Sequence, residues 1–166
     1  EVSSVLLQSI IAMEDGSFFM HKGIDWEQLE LSMKSNTRRK KKLRGGSTIT
    51  MQLTKNIYFT TRRSVIRKAK ELLVTARMEK EVSKYAILQN YINIVEWGDG
   101  IFGAEKAANE YFKKSAAELN LTEASKMAAV IPAPLKYSPA KPGSYVNRRS
   151  AIIRSRYADV QLFPEL

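Results

Sequence analysis

The chain has 166 residues, of which 44% are hydrophobic and 27% are charged, and this composition predicts a globular protein and excludes a disordered one. Its formal net charge of +10 indicates an anionic partner such as a nucleic acid, a phosphate compound or an acidic membrane surface. The absence of cysteine excludes disulfides and thiolate metal sites, and no apolar run approaches the roughly 18 residues that span a bilayer.

The first predicted helix covers residues 2–13 and leads directly into two adjacent carboxylates, Glu14 and Asp15. Gly16 then releases the backbone, and the single histidine of the chain follows at His21. Acids placed where a helix meets a loop can face a cleft while their backbone stays anchored. The pattern therefore suggests Glu14 as a catalytic base, although a solvated acidic helix end explains this stretch alone equally well.

The second predicted helix is followed by a dense run of basic residues. Asp25 and Gln28 have the spacing of a capping box, which predicts a helix that continues to about Ser35. Residues 36–44 contain six cations, and because packed cations repel one another we predict a mobile, exposed loop. The loop is either simply solvated or a contact for phosphates or for an anionic bilayer.

The third predicted helix starts after two glycines, with Ser47 or Thr48 as its cap. Its polar residues Gln52, Lys55 and Asn56 alternate with apolar ones at helical spacing. This pattern predicts a helix with one buried face and one polar face.

The fourth predicted helix is long, with Ser64 as its cap. Arg63, Arg67 and Glu71 fall at steps of four and would share one face of it. Spacing alone does not distinguish ordinary salt bridging between Arg67 and Glu71 from an anion clamp that includes a positioned carboxylate.

Four more helices are predicted further along, at Ser83–Tyr91, Ala104–Phe112, Thr122–Ile131 and Asn147–Val160. Residues 93–103 are predicted to form a loop around Trp97, whose side chain we expect in the core. Ser115 and Glu118 have capping-box spacing. No alternation of period two occurs over any length, so the predicted fold is mainly α-helical.

With these residues in view, the sequence resembles the peptidoglycan glycosyltransferase domain. The resemblance is strongest to the monofunctional biosynthetic peptidoglycan transglycosylases and extends to the glycosyltransferase half of bifunctional penicillin-binding proteins. Five motifs of that family occur in order, at Glu14–Asp25, Gly45–Asn56, Arg67–Glu71, Tyr91–Phe112 and Glu123–Pro139. The second motif departs from the family pattern at Met51, where glutamine is usual.

The resemblance implies roles for particular residues. Glu14 would be the general base and Glu71 a second catalytic carboxylate, which orients cations or stabilises the sugar. His21 and Asp25 would hold the loop of the first motif. The implied substrate-binding residues are Asp15, Phe18, Ser47, Thr48, Gln52, Lys55, Asn56, Arg63, Arg67 and Lys68.

The implied fold is a lysozyme-like helical domain over residues 1–166, with a small membrane-contacting lobe at about residues 30–60. The implied reaction joins lipid II to the growing glycan chain, with inversion and release of undecaprenyl diphosphate. No cofactor is expected, apart from a divalent cation (Mg²⁺ or Mn²⁺) that would assist the diphosphate. Moenomycin is the inhibitor that the resemblance implies.

The resemblance also implies a location and partners. The enzyme would act on the periplasmic or outer face of the bacterial cytoplasmic membrane, beside other cell-wall synthesis proteins. The chain begins at Glu1, and we expect the membrane anchor usual in the family to have been removed. No nucleic-acid partner is expected.

Two other functions remain open from the residues alone. A lysozyme-like hydrolase is also built around a glutamate, but it would not need several cations aligned ahead of a carboxylate. A nucleic-acid-binding module would use the basic run, but aromatic residues are not interleaved with those cations.

Overall fold

The computed structural model describes residues 2–39, 46–59 and 64–160. Its helices and strands are α1 Ser4–Glu14, α2 Trp26–Arg39, α3 Ile49–Tyr58, α4 Val65–Glu81, α5 Lys84–Ile94, β1 Glu96–Gly98, β2 Ile101–Phe102, α6 Ala104–Phe112, α7 Leu121–Val130 and α8 Ser144–Arg156. The predicted mainly helical fold is confirmed. In these described ranges, no helix is both long enough and apolar enough to cross a membrane.

The chain forms two compact units. Unit 1 combines Glu1–Gly16 with Ile92–Leu166, and unit 2 is Ser17–Tyr91. The predicted membrane-contacting lobe at about residues 30–60 falls within the bounds of unit 2. That lobe and the single-domain organisation stay predictions.

The positive charge of the chain belongs to unit 2. The sequence of unit 2 has 17 basic and 6 acidic residues, whereas unit 1 has 10 basic and 11 acidic residues. The net positive charge from which an anionic partner was predicted therefore lies in the sequence of unit 2.

The core of unit 1 is formed by α1, α7 and α8, which pack against one another. Leu6 and Ile10 lie one turn apart on α1, and both are fully buried. Met127 of α7 and Ile153 of α8 are buried in the same core. The buried Ala124, Ala128 and Ala129 of α7 let neighbouring helices approach closely.

In unit 2, α3 packs on α4. Ile49 and Leu53, one turn apart on α3, are buried, as are Ile87 and Tyr91 of α5. This packing anchors the helices that carry the second and third motifs.

The predicted caps of α3 and α4 are confirmed. The Thr48 hydroxyl accepts a hydrogen bond from the Met51 N–H (3.2 Å), and the Ser64 hydroxyl accepts one from the Arg67 N–H (2.9 Å). These bonds satisfy N–H groups that the first turn of a helix leaves unpaired.

A predicted capping box and an unpredicted one lie close together in the second half of the chain. Ser115 and Glu118 form the predicted box, on a single 3₁₀ turn. Asn120 and Glu123 form a second box, which starts α7 at Leu121 and not at the predicted Thr122.

The predicted boundary between α2 and the basic loop is wrong. The helix continues past Ser35 to Arg39, so residues 36–39 are helical. Arginine has a high helix propensity, and cations interact favourably with the carbonyl end of a helix, which offsets their mutual repulsion. The remaining part of the predicted loop, residues 40–44, lies outside the described residues.

The predicted loop over residues 93–103 is also wrong in part. Helix α5 continues to Ile94, and β1 and β2 then form a short antiparallel hairpin in which Glu96 lies opposite Phe102. Strands of three and two residues are too short to show alternation in the sequence.

Tertiary contacts hold this hairpin in unit 1. Trp97 is fully buried, as expected, and its carbonyl accepts a hydrogen bond from the Tyr111 hydroxyl (3.0 Å). A β-carbon at Gly98 would overlap that hydroxyl oxygen, so a side chain at this position would displace Tyr111. Burial raises the pKa of the Tyr111 hydroxyl, with a smaller contribution from Glu110.

Candidate active site

The two adjacent carboxylates stand at the end of a helix that is buried in unit 1. Glu14 is the last residue of α1 and is half-buried. Asp15 is 6% exposed and closes the helix with a hydrogen bond from its N–H to the Ile11 carbonyl (2.9 Å). The backbone of both residues is therefore fixed by the helix, and their catalytic and substrate-binding roles stay predictions.

The loop of the first motif continues in unit 2 and is closed by Asp25. The Gln28 N–H donates to Asp25 Oδ1 (2.8 Å), and the Ser17 hydroxyl donates to Oδ2 (2.5 Å). Partial burial by itself raises the pKa of Asp25, but these hydrogen bonds and the nearby His21 outweigh it and bring the pKa below its ordinary value. Asp25 therefore caps α2 as predicted and also ties down the loop before it.

This lowered pKa predicts a pH-dependent contribution to stability. We expect Asp25→Ala to lower the free energy of unfolding by about 1 kcal/mol at pH 7, because a helix cap is lost. A carboxylate with a depressed folded-state pKa stabilises the protein above its unfolded-state pKa of about 4. That stability is lost as the pH falls through the lower folded-state value, so the variant and the wild type should converge at low pH.

Urea unfolding between pH 7 and pH 2.5 tests this expectation. Glu27→Ala, which removes an exposed carboxylate from the first turn of the same helix, is the matched control. A difference between Asp25→Ala and the wild type that stays constant down to the lowest pH would contradict the assignment.

The backbone of the turn around Gly23 is held by hydrogen bonds to side chains. Gly23 has φ +85°, and its N–H donates to His21 Nδ1 (3.1 Å). Nδ1 is therefore the acceptor of the ring, and in neutral imidazole the proton lies on Nε2. Phe18 is fully buried beneath this turn, with its ring edge-on to Phe19. A direct contact of Phe18 with substrate stays a prediction.

The start of α3 is joined to the same turn. Thr48 is 3% exposed, and its hydroxyl donates to the Gly23 carbonyl (2.5 Å) in addition to capping α3. Ser47 beside it is exposed. Thr48 thus links the first and second motifs, and substrate contacts from Thr48 and Ser47 stay predictions.

On the polar face of α3, one side chain is fixed by a hydrogen bond to another helix and two side chains are exposed to solvent. The Gln52 side-chain carbonyl accepts a hydrogen bond from the buried Tyr91 hydroxyl (3.1 Å), whereas Lys55 and Asn56 are exposed. Met51 is 1% exposed and belongs to the core. The departure from the family pattern at Met51 therefore falls on the buried face and leaves the polar face intact.

The third motif forms an ion cluster around one buried carboxylate. Glu71 is 2% exposed, and its two oxygens accept from Arg67 Nη1 (2.8 Å) and Lys68 Nζ (2.5 Å). The Arg67 side chain is 19% exposed, and its buried Nε has no hydrogen-bond partner among the described residues. Arg63, the third predicted cation of this face, lies outside the described residues.

This geometry shows what kind of salt bridge Arg67 and Glu71 form, whereas the anion clamp stays a prediction. A salt bridge between Arg67 and Glu71 exists, but it is part of a cluster with two cations and one buried carboxylate, not an exposed surface pair. The cluster has one excess positive charge, and a guanidinium held by a carboxylate presents its remaining N–H groups in a fixed direction. Such a cluster is suited to binding phosphate oxygens.

Sequence reasoning missed a second buried carboxylate in unit 2. Glu79 of α4 is 5% exposed and forms an ion pair with Lys84 (2.8 Å) and a hydrogen bond with Thr50. Its partners lie five residues after it across a helix break and 29 residues before it on another helix. No helical or strand period contains these spacings, so no sequence pattern indicated the cluster.

The described histidine and acidic residues are not arranged as a set of metal ligands. In the part of the chain that the structure describes, no three His, Cys, Asp or Glu side chains are grouped so that they could hold a metal ion. The described residues therefore contain no set of side chains that would bind a metal ion on their own. The divalent cation that would assist the diphosphate stays a prediction.

Comparison with known proteins places the chain in a family. A family model described as transglycosylase matches residues 1–157. A biosynthetic peptidoglycan transglycosylase of Herminiimonas arsenicoxydans is 42% identical over 161 residues, which cover 97% of this chain and 70% of the relative. Proteins of the same name from Methylobacillus flagellatus (40%; 96% and 70%) and Bordetella pertussis (38%; 97% and 68%) are similar over comparable lengths.

The mainly helical fold, which is consistent with the lysozyme-like domain that was predicted, and these matches define a glycosyltransferase. The chain belongs to the transglycosylase family, which includes the biosynthetic peptidoglycan transglycosylases.

Proposed function

We propose that the enzyme polymerises lipid II into peptidoglycan strands. The 4-hydroxyl of one lipid-linked disaccharide would attack the anomeric carbon of the growing chain, and undecaprenyl diphosphate would leave. The relatives named biosynthetic peptidoglycan transglycosylases support this substrate class, and so do the five family motifs in chain order.

Glu14 is the general base of this proposal. The attacking hydroxyl must lose its proton as its oxygen bonds to the anomeric carbon, and a carboxylate within hydrogen-bond reach accepts that proton. The position of Glu14 at the end of a buried helix supports this role, because the helix fixes the backbone that carries the acid.

The leaving diphosphate requires positive charge, not a strong acid. As the bond from the anomeric carbon to the phosphate oxygen breaks, its electron pair moves onto the diphosphate, and cations stabilise the charge that develops. Arg67 and Lys68 would supply these cations, together with the exposed Lys55. The buried carboxylate of Glu71, which holds two of them, is the observation that carries the proposal.

The stereochemistry follows from a single displacement. An attack opposite the leaving diphosphate converts an α-linked donor into a β-linked product, and no covalent enzyme intermediate is required. Glu71 would orient Arg67 and Lys68 throughout this step and does not act as a nucleophile in the proposal.

The charge of unit 2 supports docking at an anionic bilayer, where the lipid tail of the substrate remains. Its 17 basic residues and the exposed Ile57 (47%) and Tyr58 (60%) at the end of α3 suit such a surface. We accordingly place the enzyme in the cell envelope, on the outer or periplasmic face of the cytoplasmic membrane. Other cell-wall synthesis proteins are its expected neighbours there.

Polymerisation of fluorescent lipid II in detergent tests the proposal. The wild-type protein should convert it into long glycan strands that are digested by lysozyme, and moenomycin should both block the reaction and raise the melting temperature. The same preparation incubated with isolated cell wall should release no soluble fragments. Fragment release without polymer formation would instead establish the lytic alternative, and salt-dependent binding to DNA or RNA without either activity would establish the nucleic-acid alternative.

A further inference from the structure

Unit 2 contains a buried ion pair that the proposed mechanism does not use. The Glu79 side chain is 5% exposed and the Lys84 side chain 18% exposed, and their charged atoms are 2.8 Å apart. The other hydrogen bond of Glu79 comes from the Thr50 hydroxyl (2.5 Å). Because Thr50 lies on α3, Glu79 on α4 and Lys84 on α5, a single carboxylate ties three helices together.

The same pair lies against the loop of the first motif. A β-carbon at Gly23 would be 2.6 Å from Glu79 Cγ, so the loop backbone rests directly on the glutamate stem. Lys84 Nζ lies 4.4 Å from the centroid of the Phe18 ring, which is a cation–π contact. Lys84 therefore contacts the start of the loop at Phe18, and Glu79 contacts its end at Gly23.

The pair also reaches the start of α3 by two routes. Thr50 bonds directly to Glu79, and Thr48 bonds to the Gly23 carbonyl, whose residue is packed on Glu79. Thr50 faces the core, whereas Lys55 and Asn56 lie on the exposed part of the same helix. The bond from Thr50 to Glu79 thus helps to hold the helix whose exposed face carries Lys55 and Asn56.

We propose that Glu79 and Lys84 are positioning residues for glycan polymerisation. The pair holds the loop from Phe18 to Gly23 and the polar face of α3 in the arrangement that binds substrate. Neither side chain touches the reacting atoms. This inference rests on the proposed function, because it assigns the pair to the binding of lipid II.

The positioning role depends on the opposite charges of Glu79 and Lys84, which keep both side chains buried against the loop. Without the Glu79 carboxylate, the Lys84 ammonium would be mostly buried and uncompensated, and it would move toward solvent. Its contact with Phe18 would then be lost, and the loop would no longer be held at that end. An amide at position 79 keeps an acceptor for Thr50, so Glu79→Gln removes the charge and leaves the side-chain volume unchanged.

Steady-state kinetics with lipid II distinguishes positioning from simple stabilisation. A residue that only stabilises the fold changes the fraction of active protein, which lowers kcat and leaves KM unchanged. We expect Glu79→Gln to raise KM by about tenfold or more, because misplaced binding groups weaken substrate binding. A variant with reduced kcat and wild-type KM would overturn the inference.

The matched control is Glu81→Gln on the same helix. Glu81 pairs with Arg77, but both side chains are largely exposed (60% and 78%), so the same chemical change removes only a solvated ion pair. We expect KM and kcat of Glu81→Gln within about twofold of wild type, because exposed pairs contribute little.

A double variant keeps the test decisive if Glu79→Gln folds poorly. Glu79→Gln with Lys84→Met removes both charges together, so no uncompensated ion is left in the core. We expect this double variant to melt close to the wild type and still to have a raised KM, since Phe18 has lost its cation. A double variant with wild-type KM would refute the positioning role.

Hydrogen–deuterium exchange gives a readout that does not depend on the reaction. In the intact protein, amides of residues 19–24 should exchange faster in Glu79→Gln than in the wild type or in Glu81→Gln. Unchanged exchange in this loop would refute the inference whatever the enzyme acts on. Faster exchange with no lipid II polymerisation by the wild type would instead contradict the proposed function and retain the role of the pair in holding the loop.

Discussion

Glu14→Gln should reduce the rate of lipid II polymerisation by about 10²–10⁴-fold, because glutamine cannot accept the proton of the attacking hydroxyl. The substitution preserves the size of the side chain at the end of α1. The helix itself is held by buried residues such as Leu6 and Ile10, which the change does not touch. We therefore expect the circular dichroism spectrum and melting temperature to stay close to those of the wild type.

Single-turnover polymerisation of labelled lipid II is the appropriate measurement, since it reports the chemical step without product release. Glu110→Gln is the matched control, because Glu110 is an exposed glutamate on α6 of the same unit. A Glu14→Gln variant that polymerises at more than about a tenth of the wild-type rate would exclude a general-base role of the size proposed.

Glu71→Ala should cause the largest loss of stability. It removes a carboxylate that is 2% exposed and leaves the guanidinium of Arg67, itself 19% exposed, without its ion partner. Breaking a buried ion pair from one side costs about 3–5 kcal/mol, which corresponds to a fall in melting temperature of about 6–20 °C for a chain of this size. Lys68 is 37% exposed and can turn toward solvent, so most of the cost comes from Arg67.

Thermal and urea denaturation of the intact protein test this prediction. Glu81→Ala on the same helix breaks an exposed pair with the same spacing of four residues and should cost only about 0–1 kcal/mol. Glu71→Gln should lie between the two, because the amide still accepts one hydrogen bond. Equal stabilities of Glu71→Ala and Glu81→Ala would show that the cluster contributes nothing beyond a surface pair.

Two of the glutamates of α4, Glu71 and Glu79, illustrate how much the spacing of residues can predict. The interval of four from Arg67 to Glu71 correctly placed both on one helical face, because that geometry is set within a single turn. It left open whether the pair is an ordinary salt bridge or part of an anion clamp, since the burial and the other partners of the pair depend on what packs over the helix. The pairing of Glu79 with Thr50 had no signal at all, because the two residues are 29 positions apart and meet only when α3 packs on α4.

The ends of the helices show the same difference between features set by nearby residues and features that were not predicted correctly. The starts of α3 and α4 were predicted from Thr48 and Ser64, because a cap bonds to an N–H only three residues away. The end of α2 was predicted four residues early, because the helix propensity of arginine outweighs the repulsion among the cations there.

The sequence by itself therefore determined the features that depend on neighbouring residues: the helical class, most helix starts, the cap at Asp25 and the order of the family motifs. Only the tertiary structure decided which charged groups are buried, how the hairpin around Trp97 forms, and that Glu79 joins three helices. The physical reason is the separation along the chain of the residues that interact. Caps and helical faces are set within one or two turns of chain, whereas burial and the pairing of distant charges arise only when separate elements pack together.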